Sequence, residues 1–118
     1  DGDQGRNYGL MGGLTRLPIK DRDVLIFSNI ESPSGRHHGT IWASFDGGVT
    51  WPVKRLVYEK RFAYSSLTSG RPGTKSEGWI YLLYEGGPKG AGTLARFNLS
   101  WVLGGDSTGD GKIPDWAK

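Results

Sequence analysis

Ser44-Phe45-Asp46-Gly47-Gly48-Val49-Thr50-Trp51 is the stretch whose reading decides the fold. Each fixed position of its pattern, Ser-x-Asp-x-Gly-x-Thr-Trp, has a mechanical use. Asp46 and Thr50 carry short oxygens suited to accept hydrogen bonds from turn amides, and Gly47-Gly48 supplies the positive φ that a tight strand-to-strand turn demands. Trp51 lays a large apolar surface under the turn, so the hairpin staples itself. Ser44, Asp46, Gly48, Thr50 and Trp51 are therefore assigned to folding rather than to chemistry.

Outward from the turn, short strands follow in both directions. Residues 40–45 form the strand that feeds it, and residues 55–58 alternate polar and apolar as a half-exposed outer strand does. Upstream, Val24-Leu25-Ile26-Phe27-Ser28-Asn29 is a continuous apolar run that predicts a strand buried on both faces. Residues 11–17 predict a first strand, stopped by Pro18, and residues 1–9 (DGDQGRNYG) are a polar, glycine-rich loop. Four strands in meander order make one unit. The pattern then restarts with residues 64–68, 79–84 and 93–99, and residues 71–78 form the hairpin loop between the first two of these. The second unit has three strands, no second copy of the hairpin signature and no obvious fourth strand.

Composition agrees with many short strands. The 118 residues include 20 glycines and six prolines, with 36% hydrophobic and 23% charged content. No cysteine is present, so neither a disulfide nor a Cys-ligated metal site is possible. The net charge of +3 suits an acidic ligand, but the basic residues are scattered, which argues against a nucleic-acid groove. No apolar run approaches the roughly 20 residues of a membrane-spanning helix. A chain opening on Asp1-Gly2-Asp3 reads as a processed or cut piece.

The hairpin signature resembles the Asp-box (BNR repeat) of the sialidase, or neuraminidase, superfamily, where it recurs between the third and fourth strands of the blades of a six-bladed β-propeller. Around it the chain follows the order seen near the C-terminus of such enzymes: Arg36, Gly39-Thr40, Ser44 to Trp51, Tyr64-Ser65-Ser66-Leu67, Leu83-Tyr84-Glu85 and Phe97-Asn98-Leu99-Ser100-Trp101. The resemblance implies an all-β fold, about two blades of a propeller built from antiparallel four-stranded meanders, over residues 1–104. Residues 105–118 are a polar tail. It also implies an exo-α-sialidase, a retaining glycoside hydrolase that releases terminal sialic acid from a sialylated glycan, secreted or at the cell surface. The remaining blades of a parent chain would be its partners, and the 118 residues alone would be inactive. A non-catalytic Asp-box propeller that binds glycan or protein is the alternative, since the box specifies a fold and not a reaction.

The chemistry explains the residue types. Sialic acid carries a carboxylate on its anomeric carbon, so a carboxylate nucleophile approaches against like charge and a neutral phenol does not. Tyrosine is accordingly the nucleophile in these enzymes. The resemblance gives that role to Tyr64 and makes Glu85 the carboxylate that orients a substrate-binding arginine. Arg36 becomes one of three arginines that grip the substrate carboxylate with a planar, permanently charged fork. His37 and His38 line the pocket beside it. The acid, the base and two further arginines belong to other blades. Arg36 and Tyr64 should project from one end of the sheets, with the Asp-box at the other.

Two further features have structural explanations. Trp79 and Tyr84, in an inner strand, are expected in the core rather than as sugar-stacking platforms. The tail, Gly105-Asp106-Ser107-Thr108-Gly109-Asp110-Gly111-Lys112-Ile113-Pro114-Asp115-Trp116, resembles the Asp-rich calcium repeats of thrombospondin type-3 and dockerin-like segments. Thr108 and Ala117 stand where such a loop places an Asp or Asn and a bidentate Glu, so a flexible or docking tail is preferred to a calcium site, and no other metal or cofactor is expected.

Overall fold

The computed structural model describes residues 10–118, so the expected loop over residues 1–9 lies outside the described residues. Six strands run in sequence order as one antiparallel meander: β1 (Gly13–Leu17), β2 (Val24–Ile30), β3 (His37–Ser44), β4 (Val53–Ser69), β5 (Trp79–Gly86) and β6 (Gly92–Asn98). A one-turn helix, α1 (Leu99–Leu103), and a two-residue strand, β7 (Asp106–Ser107), follow. The chain is all-β, and its sheet curls back on itself because β4 belongs at once to the meander β1–β4 and to the meander β4–β6.

Residues 55–58 and 64–68, expected as separate strands, are parts of the single 17-residue β4. Between them lies Glu59-Lys60-Arg61-Phe62-Ala63, which contains no Gly, Pro or Asn to turn the chain. The first part of β4 pairs with β3, and from Phe62 onward β4 pairs with β5. Irregular register at both places, around His38–Gly39 and between Phe62 and Ser65, supplies the bend in place of a loop.

That bend brings the start of the second meander onto the start of the first. Ser65 N–H donates to the Met11 carbonyl at 3.0 Å, and the Ser28 and Ser65 hydroxyls meet at 2.8 Å. Gly13 is required at this seam, because a Cβ there would stand 2.8 Å from the Leu67 backbone nitrogen. Ile26, Ile41, Val53, Phe62, Ile80, Leu82 and Val102 are fully buried between the two meanders, where Phe62 stacks on Tyr84 with ring centroids 4.4 Å apart. β2 differs from expectation: Val24, Ile26 and Ser28 are buried, whereas Leu25 and Phe27 on the other face are only partly covered. The sequence pattern does not distinguish a face packed against a neighbour from one awaiting cover.

The hairpin after β3 closes as a network around Asp46. Its carboxylate accepts the Thr50 N–H at 2.9 Å and the Thr50 hydroxyl at 2.6 Å. Thr50 therefore donates, contrary to the expectation that it accepts, because an ionised carboxylate beside it offers only lone pairs. Ser44 is the second acceptor: its hydroxyl takes the Gly48 N–H at 2.9 Å while donating to Asp46. Gly47 and Gly48 have φ of 75° and 92°, and the Trp51 indole N–H donates to the Gly48 carbonyl at 3.2 Å.

The Thr50 hydroxyl and then the Thr50 N–H, with lesser help from Ser44 and the Val49 backbone, favour the charged form of Asp46 against an opposing desolvation, and hold its carboxyl below the ordinary carboxylate range. A depressed folded-state value makes this stabilisation complete above the unfolded-state pKa and removes it as pH falls through the folded one. Asp46→Asn should lower the Tm at neutral pH, and the gap to wild type should narrow as the pH is taken below the usual carboxylate range. Thermal melts across that range check it; a gap independent of pH would show that the charge is not what the hairpin uses.

The strand expected over 93–99 stops at Asn98, whose side chain accepts the Trp101 N–H at 2.9 Å and caps α1. The tail then returns to the hairpin. β7 pairs with the start of β4, Thr108 donates its hydroxyl to the Trp51 carbonyl at 2.6 Å, and Asp110 accepts the Trp51 N–H at 3.0 Å. Trp116 meets Phe45 edge-on at 5.9 Å beneath the Arg22 guanidinium. The tail thus packs on the hairpin of its own chain.

Candidate active site

Arg36 and Tyr64, 28 positions apart, come together at the end of the sheets opposite the Asp-box. The Arg36 guanidinium carbon lies 5.2 Å from the centroid of the Tyr64 ring, within cation–π range. Arg36 immediately precedes β3 and Asp46 closely follows it, so the eight residues of the strand separate site from hairpin by about 25 Å.

Tyr64 faces outward because of a bulge. In the β4–β5 ladder Phe62 pairs with Gly86 and Ser65 with Tyr84, so Ala63 and Tyr64 together oppose the single residue Glu85. Strict alternation from buried Phe62 would turn Tyr64 into the core; the extra residue reverses the alternation, and Tyr64 is 43% exposed. Glu85, exposed at the end of β5, is thereby the cross-strand neighbour of the tyrosine. Gly86 beside it has φ of 131°, and a Cβ there would meet the Arg61 carbonyl oxygen at 2.0 Å.

Arg36 stands at the apex of a three-residue turn in which the His37 N–H donates to the Gly35 carbonyl at 3.0 Å. Its own carbonyl accepts the Phe62 N–H at 3.0 Å, which ties the arginine loop to the strand that carries Tyr64. His37 turns its ring into that loop: Nε2 is 2.9 Å from the Ser32 hydroxyl and 3.1 Å from that of Ser34, and Nδ1 faces Nδ1 of His38. His38 is exposed with φ of 59°, a left-handed conformation that histidine tolerates better than most side chains.

The other tyrosine of the neighbourhood differs in kind. Tyr84 is buried, and burial above all pushes its phenol pKa up, against a lowering hydrogen bond with Thr93. It is core, as expected, while Trp79 is only partly buried, beneath the Arg96 guanidinium at 4.3 Å. In the tail, Thr108 and Asp110 direct their oxygens to the hairpin backbone rather than to a shared centre, and among the described residues no three His, Asp or Glu side chains converge as metal ligands do.

An all-β antiparallel sheet curled into two meanders, with an Asp-box at one end and an arginine–tyrosine pair at the other, defines a segment of a sialidase-type β-propeller. Comparisons with known proteins agree. The chain is 44% identical to a sialidase of Micromonospora viridifaciens over 81 residues, 69% of this chain and 11% of that protein. It is 40% identical to a sialidase of Bacteroides fragilis (strain YCH46) over 65 residues, 49% of this chain and 12% of that protein. Among solved structures it matches a Hadza microbial sialidase with a TM-score of 0.66 and 33% identity, over 79% of this chain and 18% of that one. No family model matches. The chain is thus homologous to a portion of the sialidase family, and it spans about a tenth of the length of the curated relatives it matches.

Proposed function

We propose that this chain is the part of an exo-α-sialidase that supplies the nucleophile, Tyr64, and one carboxylate-binding arginine, Arg36. The observation that carries the reading is the pairing of an arginine fork with an outward-facing tyrosine at the end of a sialidase-homologous sheet. A terminal sialoside would place its carboxylate on Arg36 and its anomeric carbon before the Tyr64 oxygen. The phenol attacks that carbon as the aglycone leaves, its proton passing to a base from another blade, and water then releases the sugar with retained configuration. Glu85, beside the tyrosine, orients an arginine of the same pocket.

In this reading residues 1–104 are propeller blades and the tail is an accessory to the first of them. The neighbouring blades cover the two outer faces. One is a recess of about 450 Å³ lined by Leu14, Phe27, Trp42 and Trp51, and the other carries exposed Leu83 and Leu94 on paired strands. Among the described residues no helix is long and apolar enough to cross a membrane.

The test is turnover of a fluorogenic α-sialoside by the full reading frame that contains this segment. Hydrolysis is expected there and not from the 118 residues alone. Arg36→Lys should weaken a carboxylate inhibitor by roughly tenfold to a hundredfold, the loss expected when a fork to a charged group becomes a point charge. A parent protein that binds sialosides without cleaving them would be the non-catalytic propeller instead.

A further inference from the structure

We propose that His37 is a positioning residue that holds Arg36 over Tyr64, and that it acts from inside the loop instead of touching the substrate. The inference rests on the reading of Arg36 as a carboxylate-binding residue. Both ring nitrogens of His37 are used within the segment 32–38. Nε2 reaches the hydroxyls of Ser32 and Ser34, residues that precede the arginine, and Nδ1 reaches His38, which follows it.

The contacts close a ring around a single residue. Ser34 N–H donates to the Ser32 hydroxyl at 3.2 Å, which fixes the two serines relative to each other. Ser32 is buried and anchors the start of the loop, while the His38 carbonyl accepts the Glu31 N–H at 2.9 Å and the Thr40 hydroxyl at 2.9 Å, anchoring its end. Between these anchors the backbone makes the Gly35–His37 turn, with Arg36 at its apex, and the bond from the Phe62 N–H to the Arg36 carbonyl, which fixes the turn against β4 and leaves the side chains to set the direction of the guanidinium. The imidazole links the serines at the start of the loop to His38 at its end, so the direction in which Arg36 leaves the turn depends on it.

Small changes of that direction matter. A misplacement of the order of 1 Å in a binding group is enough to cost up to a hundredfold. Gln is the conservative replacement, because its amide can reach the two serine hydroxyls that Nε2 reaches, whereas Ala reaches neither.

Two readouts separate this inference from the functional one. The first is the NMR shift of the Arg36 side-chain protons in the 118-residue chain, which the Tyr64 ring current moves upfield when the guanidinium lies over the ring. The shift should be present in wild type and His37→Gln, and lost in His37→Ala and in the double variant Ser32→Ala/Ser34→Ala. Tyr64→Leu gives the reference without a ring. The second is kinetics in the full reading frame, where His37→Ala should raise KM for a sialoside about tenfold with kcat nearly unchanged, and His37→Gln should restore it. A general loss of folding lowers kcat per total protein instead. Retention of the upfield shift in His37→Ala, or its absence from wild type, overturns the inference. If the shift behaves as expected and the parent has no sialidase activity, His37 still positions Arg36 and the proposed reaction is what fails.

Discussion

Tyr64→Phe, made in the full reading frame, should lower kcat on a sialoside by on the order of a thousandfold, while a substrate-like carboxylate inhibitor binds nearly as before. The substitution deletes one oxygen and keeps the ring. The ring contributes the contact with Arg36, and the position is 43% exposed, so neither the arginine nor the core should notice the loss. What disappears is the atom that, in the proposed reaction, forms the covalent bond to the anomeric carbon, an interaction made only on the way to the intermediate. Steady-state kinetics beside inhibitor titration and a melting curve would separate the three effects. Near-normal turnover in the variant would remove Tyr64 from the mechanism, and weakened inhibitor binding with a lowered Tm would make it a structural residue.

The second large effect is on stability, at Gly39. A Cβ built there would lie 1.9, 2.2 and 2.3 Å from Cδ2, Cγ and Cε2 of Phe62. The ring cannot retreat, because Phe62 is fully buried, stacked on Tyr84 at 4.4 Å, and held by its own N–H to the Arg36 carbonyl. Gly39→Ala should therefore destabilise the fold by about 3 kcal/mol, the upper part of the range for an overpacked core. Denaturant titration should show a lower midpoint at an unchanged m-value. Gly92→Ala is the control, since a Cβ there meets nothing within 4 Å. Equal midpoints for the two variants would mean that β3 and β4 do not pack as described. The same crowding that makes Gly39 necessary places the Arg36 loop against the strand of Tyr64, so this glycine supports the site as well as the core.

Much of the fold was legible because its signals are local. Asp46, Gly47, Gly48 and Trp51 define a hairpin within eight residues, and the staple forms between atoms two to four positions apart. Strand existence followed from apolar runs broken by Gly and Pro, and all the expected strands are present within the six of the meander. The order Arg36, Asp-box, Tyr64, Glu85 was legible by resemblance to a family pattern. Tyr64 read in isolation is another half-buried strand tyrosine.

What the sequence by itself determined is the class of most segments, hairpin, strand or loop, and the residue types available to the proposed carboxylate-binding, tyrosine-using site. Tertiary structure alone decided how those segments are registered. Whether residues 55–58 and 64–68 are two strands or one depended on β3 and β5, the flanking strands of the meander, pairing with successive parts of β4. Whether Tyr64 faces the core or solvent depended on a single extra residue between Phe62 and Ser65, and no periodicity within β4 marks it. The tail became a strap because Thr108 and Asp110 find the Trp51 backbone more than fifty positions away. Local chemistry decides what a stretch can become, but side-chain direction in a sheet has a period of two, so a one-residue shift set by the partner strand inverts it.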